Sequence, residues 1–284
     1  NNAQEALTGR LAGVQVTTAD VTSKKDMEAI AEKSEIIFSC TDMPYDKWAD
    51  FYPATANALA YALSKTNAKL VLADNMYSYG NVTGAAMNEQ MLHTAKTKKG
   101  KIRAGVINTL LLSGQEFNSR VAFVKASDFI GPRIHKGLFG KDFLDNVYNG
   151  KTVRLFGNIA LPHTFTYIKD FATAMINVGT ADDTFGQIWH VPNAPALSLD
   201  KWLHLFEVVT NKPIKKSVTP KFAIRIAGLF NSFIKELYEM AYQFENPYLV
   251  NHDKYVKRFG HHTAYPSDIV KETVEWYLNM QQVK

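Results

Sequence analysis

The sequence predicts an α/β fold: a doubly wound parallel sheet within residues 1–132, then a smaller mixed α/β domain over 133–284. Short β-type runs alternate with helical patterns through the first half, which argues for parallel strands joined by helical crossovers. Those strands are nearly continuous in apolar residues, as strands buried on both faces are. From about Gly131 the texture changes to longer helices separated by isolated short strands.

Taken in order, VQVTT, Val14 to Thr18, is the first strand, and Asp26 to Lys33 is the helix after it. EIIFSC, Glu35 to Cys40, is the second strand. Within Phe51 to Lys65, Ala56, Leu59, Ala60 and Leu63 recur at helical spacing and give that helix a face to lay on a sheet. Lys69 to Ala73 is the third strand, Lys101 to Leu111 a helix, and Val121 to Lys125 a fourth strand. Beyond it come a helix at Phe139 to Asn149, the strands TVRLF and TFTYI, and a helix from Lys169 to Val178 that Gly179 caps. QIWHV, Gln187 to Val191, is another strand, and Ser198 is a fitting N-cap for LDKWLHLFEVV. Phe222, Ile226, Leu229, Phe233, Leu237, Ala241 and Phe244 stripe a long helix with core-packing residues, and Asp268 to Leu278 closes the chain as an amphipathic helix.

With 284 residues, 46% hydrophobic and 21% charged, the chain has enough apolar surface for a sizeable core. Its longest apolar stretches fall short of the roughly 20 residues of a membrane-spanning helix. The opening NNAQEALTGRLAG has neither the basic nor the apolar region of a secretory signal, so the expectation is a cytoplasmic protein. One cysteine, Cys40, excludes an intrachain disulfide and a thiolate cluster, and its place at a strand end reads as a small buried filler. The eight histidines include no H-x-x-x-H pair, so no metal site is expected, and the adjacent His261 and His262 read as a solvated turn. A net charge of +5 with one basic run, Lys96 to Arg103, lacks the aromatic interleaving of a nucleic-acid surface.

Chemistry concentrates where LVLADNMYSYG, Leu70 to Gly80, breaks from an apolar run into a polar loop. Within it DNMYSYG, Asp74 to Gly80, stands in the frame of a Ser-Ser-x-x-x-Tyr-Gly signature. TKKGK follows, with Thr97 and Lys101 in the frame of a Tyr-x-x-x-Lys pair. KASDFIGP, Lys125 to Pro132, is similar to an Arg-x-x-Asn-x-Tyr-Gly-Pro segment, and HTFTYIKDFATAM, His163 to Met175, to a strand followed by a Val-Asp-Asp helix start. In this order the segments resemble the extended short-chain dehydrogenase/reductase superfamily, in particular its NAD-dependent epimerase/dehydratase branch, across essentially the whole chain.

The resemblance implies a Rossmann-like dinucleotide-binding domain and a C-terminal substrate domain from which some segments return to the sheet. It also implies a sheet lacking its first βαβ segment, since no G-x-G-x-x-G or other phosphate loop can be read from Asn1 to Lys284, and so a fragment of a longer protein. The implied cofactor is NAD or NADP, and the implied substrate a small hydroxylated or carbonyl compound such as a sugar nucleotide. Asp20, Val21, Cys40, Thr41, Asn57, Lys101, Ala126, Ser127 and Asp128 stand at cofactor positions, with the last three near the carboxamide end. His163, Phe165 and Tyr167 stand at the substrate pocket. Asn75 takes the frame of the substrate-orienting Ser/Thr, and Lys101 that of the lysine that grips the ribose. A threonine lacks the accessible acidity of a phenol, so Thr97 cannot replace the family's tyrosine as acid or base. If the chain stays extended past Asp74, Asn75, Tyr77 and Tyr79 share one side, and Tyr77 becomes the local candidate for a relocated proton donor. A homodimer through the Phe51 and Lys101 helices is also implied. Two other readings stay open: a non-catalytic dinucleotide sensor similar to the NmrA-like regulators, and an inactive fragment.

Overall fold

The centre of the sheet is β2, Lys69–Asn75, whose apolar run Leu70, Val71 and Leu72 is buried on both faces. The computed structural model describes residues 14–219 and 238–282. In it β2 lies between β1, Ile36–Ser39, and β3, Val121–Ala126, and β3 pairs in turn with β8, Gln187–His190. All these pairings are parallel, with Ile36 opposite Lys69, Leu70 opposite Val121 and Ala122 opposite Gln187. Side-chain alternation divides the sheet between two cores. Leu70, Leu72, Val121 and Phe123 face α1, Lys24–Ala31, α2, Trp48–Lys65, and α3, Lys98–Ile107. Val71, Ala122 and Val124 face α5, Ile168–Thr180, and α7, Asp253–Phe259.

A second lobe is built on a separate aromatic core. Phe139, Phe143, Phe165, Trp202 and Phe206 pack where α4, Lys141–Tyr148, α6, Leu199–Thr210, and α8, Pro266–Gln282, meet. Short strands complete it: β5, Val153–Phe156, runs parallel to β10, Lys216–Thr219, and β4, Asp128–Ile130, parallel to β7, Phe165–Tyr167. β6, Pro162–His163, pairs antiparallel with β9, Leu197–Ser198. Ser198 caps α6 as its sequence predicts, its side chain accepting from the Lys201 N–H.

The structure departs from the sequence reading at three elements. Val14 to Thr18 forms no strand, since no described strand runs beside it to accept a ladder. Gly179 lies inside α5 rather than at its cap, at a point where a Cβ would meet the Phe38 ring, so the missing side chain allows a close helix–sheet approach. Of the long apolar stripe, Phe222 to Leu237 lies outside the described residues, while Ala241 and Phe244 sit in a short 3-10 turn.

What positions α3 is electrostatic. The Asp74 carboxylate at the end of β2 is buried and accepts from Arg103 Nε at 2.6 Å and from Lys125 Nζ at 2.5 Å. Arg103 also donates to the Ala73 carbonyl, and its guanidinium lies 4.4 Å from the Tyr52 ring centroid. Lys125 donates further to the Asn75 carbonyl and the Ser78 hydroxyl. Burial alone would raise the Asp74 carboxyl, but the two cations outweigh it and hold the group below the usual carboxylate range. Gly100 permits the same approach sterically: a Cβ there would lie 2.5 Å from the Tyr77 carbonyl oxygen and collide with Ala95.

Two outcomes follow from this joint. Because the folded Asp74 carboxyl is depressed, its stabilisation is fully present above the unfolded value of about 3.9 and is lost as pH falls through the lower folded value. Arg103→Met, which leaves that carboxylate with one buried cation, is expected to cost about 3–5 kcal/mol and to move acid unfolding to higher pH, read from urea midpoints between about pH 2 and 6. Gly100→Ala should gain up to about 1 kcal/mol of helix propensity yet lower the urea midpoint, since relieving the collision costs about 1–3 kcal/mol. A raised midpoint would show that α3 has room to move.

Candidate active site

In open parallel sheets ligands bind outside the carboxyl ends of the strands, and that rim faces the second lobe here. β2 does not stay extended past it. The Asn75 side chain accepts the Tyr77 backbone N–H at 3.0 Å and closes a 3-10 turn over Tyr77–Tyr79. The two tyrosines therefore part. Tyr79 hydrogen-bonds His190 Nε2 at 2.8 Å in the interior, where burial drives the imidazole down to about 3 and keeps it neutral. Tyr77 turns to the rim, with its hydroxyl 2.9 Å from that of Tyr45 and its ring stacked on Trp48. Burial pushes Tyr45 up to about 12 and Tyr77 well above the ordinary phenol value, so both keep their protons at neutral pH.

The helix phase corrects the expected Thr97 and Lys101 pair. Thr97 is the N-cap of α3, its hydroxyl accepting from the Gly100 N–H at 3.1 Å. From that start the helix turns Lys101 to solvent and buries Lys99 and Arg103. The i, i+4 pair directed at the sheet is thus Lys99 and Arg103, which the sequence reading missed. Lys99 Nζ lies 3.0 Å from Glu239 Oε2 and 4.7 Å from the Tyr45 ring centroid.

Across the cleft, His163 Nε2 is 2.8 Å from Asp128 Oδ2. The imidazole is 3% exposed and stacks on Phe244 at 4.6 Å and on Tyr248 at 4.9 Å between ring centroids. Backbone bonds fix both partners. Tyr248 exchanges them with Pro162 and Thr164, and the Phe244 carbonyl accepts from Asn158 beside Gly157, whose φ of +77° and missing Cβ leave it space. His163 Nδ1 and the Tyr242 hydroxyl are buried without a hydrogen-bond partner.

Other expected positions are distributed differently. Ser127 donates its hydroxyl to the Thr164 carbonyl and its N–H to Thr166, tying β3 to the Thr164–Thr166 segment, and Ala126 is buried in the core between the sheet and α5. Phe165 packs in the second-lobe core and against His163, while the Tyr167 hydroxyl turns away to Glu272 on α8 at 2.6 Å. Asn57 is exposed on α2, and Cys40 is exposed one residue beyond β1 instead of being a buried filler. Asp20 serves a local turn through Thr22, and Val21 packs against the sheet core. His262 is half-buried and lines, with His252 and His261, a crevice of about 630 Å³ that also takes in Thr164 and Asn193.

Thr41 does border a cavity, shared with Ser39, Tyr52, Thr55, Ala56 and Arg103 at the ends of β1 and β2. The Thr55 hydroxyl there is buried and unpartnered. That cavity has a volume of about 10 Å³, room for one water rather than a sugar, and no glycine-rich turn that could hold a pyrophosphate follows a strand among the described residues. The described residues contain no group of three His, Cys, Asp or Glu placed to hold a metal ion, and no described helix is long and apolar enough to cross a membrane.

No family model matches the sequence, and no curated protein matches it. Solved structures do match its fold. The dTDP-glucose 4,6-dehydratase of Bacillus anthracis in complex with NAD superposes with a TM-score of 0.80 at 13% identity, covering 99% of this chain and 85% of that one. The UDP-glucuronic acid 4-epimerase of Bacillus cereus with NAD gives 0.77 at 12% identity, over 98% of this chain and 85% of that one. The dTDP-glucose 4,6-dehydratase of Streptomyces venezuelae with NAD gives 0.79 at 14% identity, over 100% and 85%. With its doubly covered parallel sheet and second lobe over the strand ends, the chain has the Rossmann-like α/β fold of these solved structures.

Proposed function

We propose that the protein is an NAD(P)-dependent epimerase or dehydratase acting on a sugar nucleotide. The observation that carries this reading is the fold, a parallel sheet covered on both faces whose strand ends open on a second lobe. Solved proteins of the same fold bind NAD, and their names give sugar-nucleotide dehydratases and epimerases. When bound, the dinucleotide takes a hydride from a carbinol carbon and returns it. The protein's part is to bind and orient at the ends of β1, β2 and β3, where open parallel sheets hold their ligands. Lys99, held by Glu239, lies over the Tyr45 ring and brings a cation to this rim, where a developing substrate oxyanion would gain from it. Phe244, Tyr242 and Tyr248 form an apolar wall opposite for the sugar.

The second reading is a dinucleotide sensor without turnover, favoured by Thr97 serving as a helix cap where the family has its tyrosine. Calorimetric titration with NADH and NADPH, followed by assays on dTDP-glucose and UDP-glucuronic acid, separates the two. Binding and turnover are expected; binding with no turnover on either sugar favours the sensor, and no binding of either dinucleotide removes both. Thr55→Val should hold or slightly raise the urea midpoint, because the buried hydroxyl has no protein partner to lose.

A further inference from the structure

The reaction proposed above needs a group that takes and returns the proton of a substrate hydroxyl, and the residues in the expected frame do not supply one. Thr97 caps a helix, and Lys99 holds its ammonium against the Glu239 carboxylate. Tyr77 and Tyr45 share a hydrogen bond inside an aromatic cluster whose burial disfavours either phenolate.

Asp128 is placed otherwise. Its side chain is one-third exposed at the cleft, on the short strand that follows β3, so it reaches solvent and substrate. One carboxylate oxygen is held at 2.8 Å by an imidazole that is itself almost wholly buried. The His163 ring that holds it stacks on Phe244 and Tyr248, so the carboxylate stands at the edge of that aromatic wall. We propose that Asp128, positioned by His163, is the general base and acid of this site. The inference rests on the enzymatic reading above.

The geometry assigns the two residues different work. With the proton of His163 on Nε2, the imidazole donates to Asp128 Oδ2 and fixes the carboxylate plane. Nδ1 is then a bare acceptor among Phe165, Phe244 and Tyr248, with no partner for a second N–H. The carboxylate is the member of the pair that faces the cleft, and the imidazole is closed off behind it. Asp128 is catalytic in this scheme, and His163 is a positioning residue.

The step balances on the substrate's carbinol. Its O–H bond breaks and the proton goes to Asp128, its C–H bond breaks and the hydride leaves with both electrons to NAD+, and the carbinol becomes a ketone with one NADH formed. Reduction runs the same transfers backwards, Asp128 returning the proton to the new alkoxide.

Steady-state kinetics with NAD+ and dTDP-glucose or UDP-glucuronic acid test this together with a binding-independent spectrum. Asp128→Asn should lower kcat about 100- to 10,000-fold with KM changed less than about threefold. Asp128→Glu should restore part of the rate, and formate added to Asp128→Ala should recover turnover, which a purely structural role would not allow. His163→Gln, which can still donate to the carboxylate, should retain more activity than His163→Ala. Independently of any substrate, the ring 15N resonances of His163 should move in Asp128→Asn. If the wild type turns over and Asp128→Asn stays within about threefold of it, the inference fails while the enzymatic reading stands. A wild type inert on both sugars overturns both, and unmoved His163 resonances overturn the pair itself.

Discussion

The Asp74 carboxylate is the interaction on which the candidate site depends. It ends the central strand inside the protein, and an uncompensated charge in that position would cost several kcal/mol. Arg103 and Lys125 neutralise it from opposite sides, one from α3 and one from β3, and their remaining donors reach the Ala73 and Asn75 carbonyls and the Ser78 hydroxyl. Helix, strand and turn are thereby tied to one group. Since Arg103 and Lys99 sit one helical turn apart, the same tie sets the depth at which Lys99 enters the cleft. Gly100 supplies the steric half of the arrangement, because α3 can reach Asp74 only if nothing projects from it toward the Tyr77 turn.

The layering of the protein then follows from ordinary burial. Residues that alternate along β2 and β3 feed two different cores, and each core is completed by helices with a matching apolar face. The second lobe has its own core, which touches the one between the sheet and α5 at Ile168. It meets the first through polar hinges, Ser127 with Thr164 and Thr166, and through His163, whose ring is held by second-lobe aromatics while its nitrogen reaches a carboxylate at the end of the sheet. A cleft walled by two separately stabilised bodies lets its lining vary without disturbing either.

The strands were legible in the sequence because EIIF, LVLA and VAFV admit no amphipathic alternative, and the helices because their apolar periods were unbroken. The site was less so, for reasons of phase. Counting from Thr97 to Lys101 matched a motif spacing but not the helix: Val106 and Ile107, stepped back by 3.6 residues, lead to Arg103 and Lys99, and that signal was present in the sequence. Past Asn75 an extended chain was the natural expectation, yet an asparagine side chain bonds the backbone two residues on and makes a turn instead. Phe244 and Tyr248 could not be assigned to the site from sequence at all, since only the chain's return across Gly157 and Pro162 brings them beside His163.

Glu239 gives the cleft a mechanical property. The chain returns at this residue to meet α3, where its carboxylate engages both the Lys98 backbone N–H and the Lys99 ammonium. Any motion that draws the Glu239 segment away from α3 must part opposite charges in a partly buried place, so widening the gap and exposing positive potential on its floor are one event.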